Sequence, residues 1–483
     1  MFTVHSNSFP QVRLWCLTIS APKVTPIIVA ALPIPSDLDA EALYPMTRKI
    51  LDGLIDRKIQ VVSYACDGTE VERAVQRLVI ERADSRIEYI IKNPHQGGPD
   101  TKAIIPVIKG QAIAIVQDSK HALKTYRNNL FSGARLLVLG NFIAVYAHIR
   151  QLAFEEESPL YIRDVQKLDR QDDNAATRLF SADVLKYLCD NHPDYLGEIV
   201  YLFVFGELID AYQNRAISHA ERVKLVLRAR YFLDAWEAFL KCCGYTKATY
   251  LLSRECLDIT RIIIEGFLSL VFIRRDHVDG VNPLYPWLDS SESCEHVFGE
   301  ARQIVKDFTM LDFLYMIPKL RIKMRQAILK GKTSDPKARA AGYSHTYFDM
   351  AGLDQVNLST FPSDDEISAL AQQAADEADS LVALLGLSPN QVRNLQRSSI
   401  LPSIDSWFSS RPPTGTNEES ETGSVISHDD ESISEAQELQ LLLDDEEDPT
   451  LSRTAKLQLK EETEILNLTC AALALATDEM MTV

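Results

Sequence analysis

The sequence predicts an α/β first part, a long all-helical middle and a disordered acidic C-terminal tail. Three observations carry this. Apolar β-branched runs alternate with helical spacing between residues 12 and 117. Apolar stripes with few breakers then continue to residue 330. Residues 398–430 are rich in Ser, Pro, Gly, Thr and Glu, a composition too polar to bury a core. The 483 residues, 46 % apolar and 24 % charged, are enough for several domains of ordinary size.

The elements follow in order. Residues 12–20 (VRLWCLTIS) and 25–34 (TPIIVAALPI) flank a Pro-Lys turn and predict a hairpin. Leu38, Leu43, Met46, Ile50, Leu51 and Leu54 predict a helix over 37–56, with Ser36 as its cap. The run IQVVSYAC predicts a strand over 59–66, closed by Asp67-Gly68. A helix over 69–82 carries Val71, Val75, Leu78 and Val79 on one face. Short strands are expected at 87–91 and 112–117. From 119 to 330 the spacing is helical, interrupted by PLYPW and Asp289-Ser290-Ser291, with a new helix near Glu292. Residues 334–361 read as loop, and 366–385 as a helix stopped by Gly386. Residues 435–443 and 455–477 have helical spacing in the tail. No internal repeat is visible.

The net charge of −18 is unevenly distributed. Residues 361–483 hold 25 acids and 6 bases, so residues 1–360 balance at +1. The acidity therefore does not argue against nucleic-acid binding by the body. No apolar run approaches the roughly 20 residues of a membrane helix, and the first residues have no basic-then-apolar signal pattern. A soluble intracellular protein with free thiols is expected, with no membrane partner.

Four constellations can carry chemistry. Asp67 ends a strand, where a carboxylate can hold a divalent cation or simply form an Asp-Gly turn before the helix. In QDSKHALKTYRNNL, Lys120, Lys124 and Arg127 fall at i, i+4 and i+7, a face able to meet phosphates or to stay solvated, with Asp118 as helix cap. In SSESCEHVFGEAR, Glu292 and Glu295 lie three residues apart on one helix face, either as site acids or as favourable charges at a helix start. Residues 319–339 hold eight bases, among them Lys319, Arg321, Lys323 and Arg325, against the single acid Asp335. That stretch suits DNA or the acidic tail equally. Other classes lack their motifs. Gly331-Lys332-Thr333 has Gln326 where a phosphate loop needs Gly, and no Gly-x-Ser-x-Gly elbow or four-ligand zinc set occurs.

Taken in order, ACDGTEVERAVQ, QDSKHALKTYRNNL, a long helical region and SSESCEHVFGEAR resemble the P-element and THAP-domain transposases. Asp118, His121, Lys124, Arg127 and Asn128 match that family's Asp-Pro-x-His-x-x-Lys-x-x-Arg-Asn segment, with Ser119 in place of Pro. Glu292, Glu295 and Phe298 match its closing Asp-x-x-Glu helix. The likeness covers about residues 10–390 and is closer still to transposase-like proteins of mushroom-forming fungi.

The resemblance implies an RNase H-like mixed sheet interrupted by a helical insertion. The implied divisions are 1–135, the first part of the core; 136–288, the insertion; 289–390, the closing helix, basic segment and following helix; and 391–483, the tail. It further implies a Mg²⁺-dependent transposase or nuclease in which at least three carboxylates converge on the metal. Asp67 would be the second acid and Glu295 the third, with Glu292 as substitute. The first acid belongs on a strand ahead of the hairpin, yet no Asp or Glu precedes Asp37. An N-terminally shortened, incomplete sheet is therefore expected. The expected function is a nuclear, DNA-binding protein inactive in strand transfer. The alternative is a host-adopted scaffold whose acidic tail docks on a basic protein.

Overall fold

The computed structural model describes residues 11–19, 24–35, 38–95, 98–166, 169–330 and 352–397. The expected linker at 398–430 and helices at 435–443 and 455–477 lie outside these residues, as do Ser36, Lys332, Lys337 and Arg339. The chain is mixed α/β and mostly helical. Strands β1 (Gln11–Leu17) and β2 (Ile27–Ile34) form the expected antiparallel hairpin. Helix α1 (Ala40–Asp56) follows, capped by Asp39, whose carboxylate accepts the Ala42 N–H. Then come β3 (Ser63–Cys66), α2 (Glu70–Glu81), β4 (Ser85–Ile91), β5 (Thr101–Ile108), β6 (Gln111–Ala112), β7 (Ala114–Gln117) and α3 (Ser119–Phe131).

Strand β3 runs parallel to β7, in the register Ser63↔Ala114 to Cys66↔Gln117. Strands β4, β5 and β6 form an antiparallel meander. Only Ile113 separates β6 from β7. Its N–H donates to Pro106 O, and the next, of Ala114, donates to Val62 O. The order is thus β4-β5-β6/β7-β3. The turn into β6 uses Lys109 and Gly110, both at positive φ, as a two-residue hairpin turn requires.

The helical region contains a second, short hairpin, β8 (Leu137–Leu139) and β9 (Phe142–Ala144). Helical spacing hid it, because three-residue strands are shorter than one helical repeat. Strand β5 was missed for another reason: Pro106 reads as a breaker, yet here it sits where only its carbonyl is used. After β9 come α4 (Tyr146–Leu152), α5 (Ile162–Gln166), α6 (Asp173–Leu179), α7 (Ala182–Asn191), α8 (Leu196–Gln213), α9 (His219–Cys242), α10 (Lys247–Tyr250) and α11 (Arg254–Asp276). A 3₁₀ turn, Pro286–Leu288, leads to α12 (Glu292–Ile304) and α13 (Met310–Lys330). Beyond it lie α14 (Gln355–Leu358), α15 (Asp364–Leu384) and α16 (Pro389–Arg397).

Strands and helices share one core, in which Ile105, Val116, Tyr126, Phe205, Phe232, Phe267 and Ala374 are buried together. Residues 136–288 are therefore packed against the sheet. Counting acids from residue 361 joined two different things. Helix α15, started by a Ser363/Glu366 capping box, lies against α9 with Ile367, Ala371 and Ala378 buried. It belongs to the body. Among the described residues all seven cysteines are free thiols. No described helix is long and apolar enough to cross a membrane.

Helix α11 reaches β7 through Gly266, where a Cβ would stand 2.6 Å from Ile115 O. Backbone opposes that atom, so no rotamer change can relieve the clash. Gly266→Ala should therefore lower stability by about 1–3 kcal/mol, read as a shifted urea midpoint with unchanged m-value.

Candidate functional site

Parallel pairing puts Asp67 and Asp118 side by side at the C-terminal ends of β3 and β7, where the Asp118 N–H donates to Cys66 O at 3.0 Å. Asp67 Oδ1 accepts the Thr69 N–H (3.1 Å) and hydroxyl (2.9 Å), the turn foreseen from Asp-Gly. Gly68 is needed for closeness: a Cβ there would lie 2.6 Å from His121 Cδ2 and 2.7 Å from Ile259 Cδ1. Burial pushes the His121 imidazole down, opposed by the pull of Asp67.

Asp118 joins two distant parts of the chain. Its Oδ1 accepts the Lys120 and His121 N–H groups at 2.8 and 3.2 Å, capping α3. Its Oδ2 accepts the Ser291 N–H and hydroxyl, each at 2.9 Å, and so seats the start of α12. Helix α12 then presents Glu292 and Glu295 to a cleft of about 1380 Å³, which Asp67, His121 and Lys124 also line. The residues expected to share a site thus do share one cleft.

The two glutamates differ in environment. Glu292 Oε1 lies 2.7 Å from Lys120 Nζ and 3.3 Å from His296 Nε2. Burial alone would raise its pKa, but His296 and Lys120 hold it down at about 2. Glu295 is half-buried, and burial followed by the Asp118 charge pushes it up to about 7. One carboxyl is therefore a fixed anion and the other can exchange a proton near neutrality.

The basic face expected on α3 is not a free one. Lys120 is paired with Glu292, and Lys124, with a side chain only 10 % exposed, lies 3.1 Å from Asp173 Oδ1. Arg127 is buried and donates to the carbonyls of Asp169 (2.9 Å) and Asp164 (3.0 Å). The segment around α5 and α6 covers α3, so these cations are consumed inside the body. On α13, Lys323 is paired with Glu300 at 2.8 Å, whereas Lys319, Arg321 and Arg325 are exposed. Among the described residues no acid pairs with those three.

Both oxygens of Asp118 are held by protein donors, as are Asp67 Oδ1 and Glu292 Oε1. Among the described residues no three His, Cys, Asp or Glu side chains stand together as metal ligands. Sequence reasoning noted Asp118 as a cap without seeing its pairing to Ser291. The signal was its likeness to Asp67, a second Asp closing a strand before a helix. His296, four residues after Glu292, was legible by helical spacing. Asp173 carried no signal. Comparison with family models, curated proteins and solved structures finds no match.

Asp118→Ala removes a cap and strands buried donors, and should cost about 2–4 kcal/mol by urea denaturation, with faster exchange of the Ser291 amide. Glu295 has a folded pKa above its ordinary 4.5, so the folded state holds more protons between about 4.5 and 7. Stability therefore falls as pH rises through that window. Glu295→Gln should flatten this slope and exceed the parent by about 1–3 kcal/mol at pH 8 but not at pH 4, read from urea midpoints.

Proposed function

We propose that this chain is a transposase-derived, RNase H-like DNA-binding protein that acts in the nucleus and does not carry out strand transfer. The observation that carries the reading is Asp118 binding Ser291, 173 residues away. Two strand-end aspartates thereby face the acids of a helix that follows a long helical excursion. Inactivity is supported by Asp118, both of whose oxygens already accept protein donors, and by Lys120, which holds Glu292 in an ion pair. DNA is held by charge, not cut. Lys319, Arg321 and Arg325 project from α13, whose opposite face is fixed by buried Phe313, Met316, Leu320 and Met324. Each phosphate neutralised releases counterions, so affinity falls with salt.

A second reading, a scaffold docking on other proteins, is favoured by Leu311, Leu314, Tyr315 and Ile322, which are exposed on the same helix.

A salt titration of duplex DNA binding separates the two. Under the first reading, log affinity falls linearly with log salt, and changing Lys319, Arg321 and Arg325 to Glu weakens binding by about tenfold or more. Removal of residues 398–483, which hold 19 acids and 4 bases, tightens it. Salt-insensitive or absent binding in both forms would leave the scaffold. Sustained Mg²⁺-dependent nicking abolished by Asp67→Ala would overturn the claim of inactivity.

A further inference from the structure

Strand β1 and helix α12 meet face to face. Alternation along β1 puts Val12, Leu14 and Cys16 on one side of the strand, and all three pack into the cluster built on α12 and α13. On α12, Cys294, Val297, Phe298 and Ala301 fall at i, i+3, i+4 and i+7, the spacing of a single helix face. Val297, Phe298 and Ala301 are buried in that same cluster, so this face turns toward β1. The strand period and the helix period thus bring one cysteine to each side of the contact. The two thiols touch. Cys294 Sγ donates to Leu14 O at 3.7 Å and accepts from the Cys16 backbone N–H and the Cys16 thiol. Both cysteines are half-buried and both line the cleft, so a small solute there can reach sulfur. Cys66 lines the cleft too, but it is buried and its sulfur is met by the Gln117 amide at 3.9 Å.

We propose that Cys16 and Cys294 are a redox modification site, a dithiol that hydrogen peroxide or an organic hydroperoxide converts to a disulfide. One thiol attacks a peroxide oxygen. The O–O bond breaks, leaving a sulfenic acid and, from hydrogen peroxide, one water. The second thiol then displaces the hydroxyl from that sulfur, so the S–S bond forms and the hydroxyl leaves with the thiol proton as a second water. Two electrons pass from the sulfurs to the peroxide oxygens. The link ties β1 to the first turn of α12, the turn that carries Glu292 and Glu295 and begins at Ser291, already held by Asp118. That turn is then anchored to β1 as well as to the end of β7. The closed loop spans more than half the chain, which strongly constrains the unfolded state. The inference rests on this contact alone and is independent of the DNA-binding reading.

The test adds hydrogen peroxide to the reduced full chain, blocks the remaining thiols and maps the peptides by mass. A Cys16–Cys294 linked peptide should form at least about tenfold above any other cysteine pair, because a disulfide demands close and correctly directed partners. Dithiothreitol should remove it. In denaturing urea the preference should vanish, since it arises from the fold. The linked protein should unfold at a higher urea midpoint than the reduced one and exchange its Ser291 amide more slowly. Cys16→Ser and Cys294→Ser should each abolish the link and both effects, whereas Cys189→Ser, which removes an exposed thiol, should leave them intact. Should a variant not fold, the map of the unsubstituted chain decides. Sulfinic acid at either residue without a link, another pair formed in preference, or a link only between chains would overturn the proposal.

Discussion

The cleft depends on one carboxylate. Asp118 ends a buried strand, caps the helix that follows it and accepts two donors from the start of α12. Four hydrogen bonds to a single side chain in a buried setting form a strong, directional joint. Without it, the first turn of α12 would lose its tie to the end of β7, although Val297, Phe298 and Ala301 would still pack the helix against Val12 and Phe313. The parallel β3–β7 pair supplies the rigid floor, and Gly266 lets α11 brace that floor from behind.

Around this joint the charges are arranged so that few are left over. Lys120 balances Glu292, Lys124 balances Asp173, and across the cleft Arg13 of β1 binds Glu72 of α2 and approaches the Tyr64 hydroxyl. Such pairing offsets the cost of bringing ions into a half-buried space. Glu295 is the exception. Burial raises its proton affinity, and the charges of Asp118, Asp173 and Glu292 add to this against the pull of Lys124. Positive charge on α13 has the opposite character, because Lys319, Arg321 and Arg325 stay in water.

Much of the architecture was legible from residue order. The hairpin, the two strand-ending aspartates and the helix at Glu292 all follow from local rules of periodicity, turn chemistry and capping. What escaped depended on tertiary cover. Arg127 looks like a surface cation when only spacing is considered, but a loop some forty residues later wraps its guanidinium with carbonyls. A charge count from residue 361 likewise pools the acids of α15 with those of the tail, although its alanine stripe is buried against α9. The pairing of Asp118 with Ser291 was equally invisible, since no local signal encodes a partner 173 positions away.

That separation has a bearing on biosynthesis. At about 5–20 residues per second, a ribosome needs roughly 10–35 s to deliver Ser291 after Asp118 has emerged. During that interval the strand end and its helix exist while half of the carboxylate still awaits its donors. The intervening helices, rich in local contacts, can form first. Closure of the cleft is then a late step of maturation, set by translation speed as much as by chain diffusion.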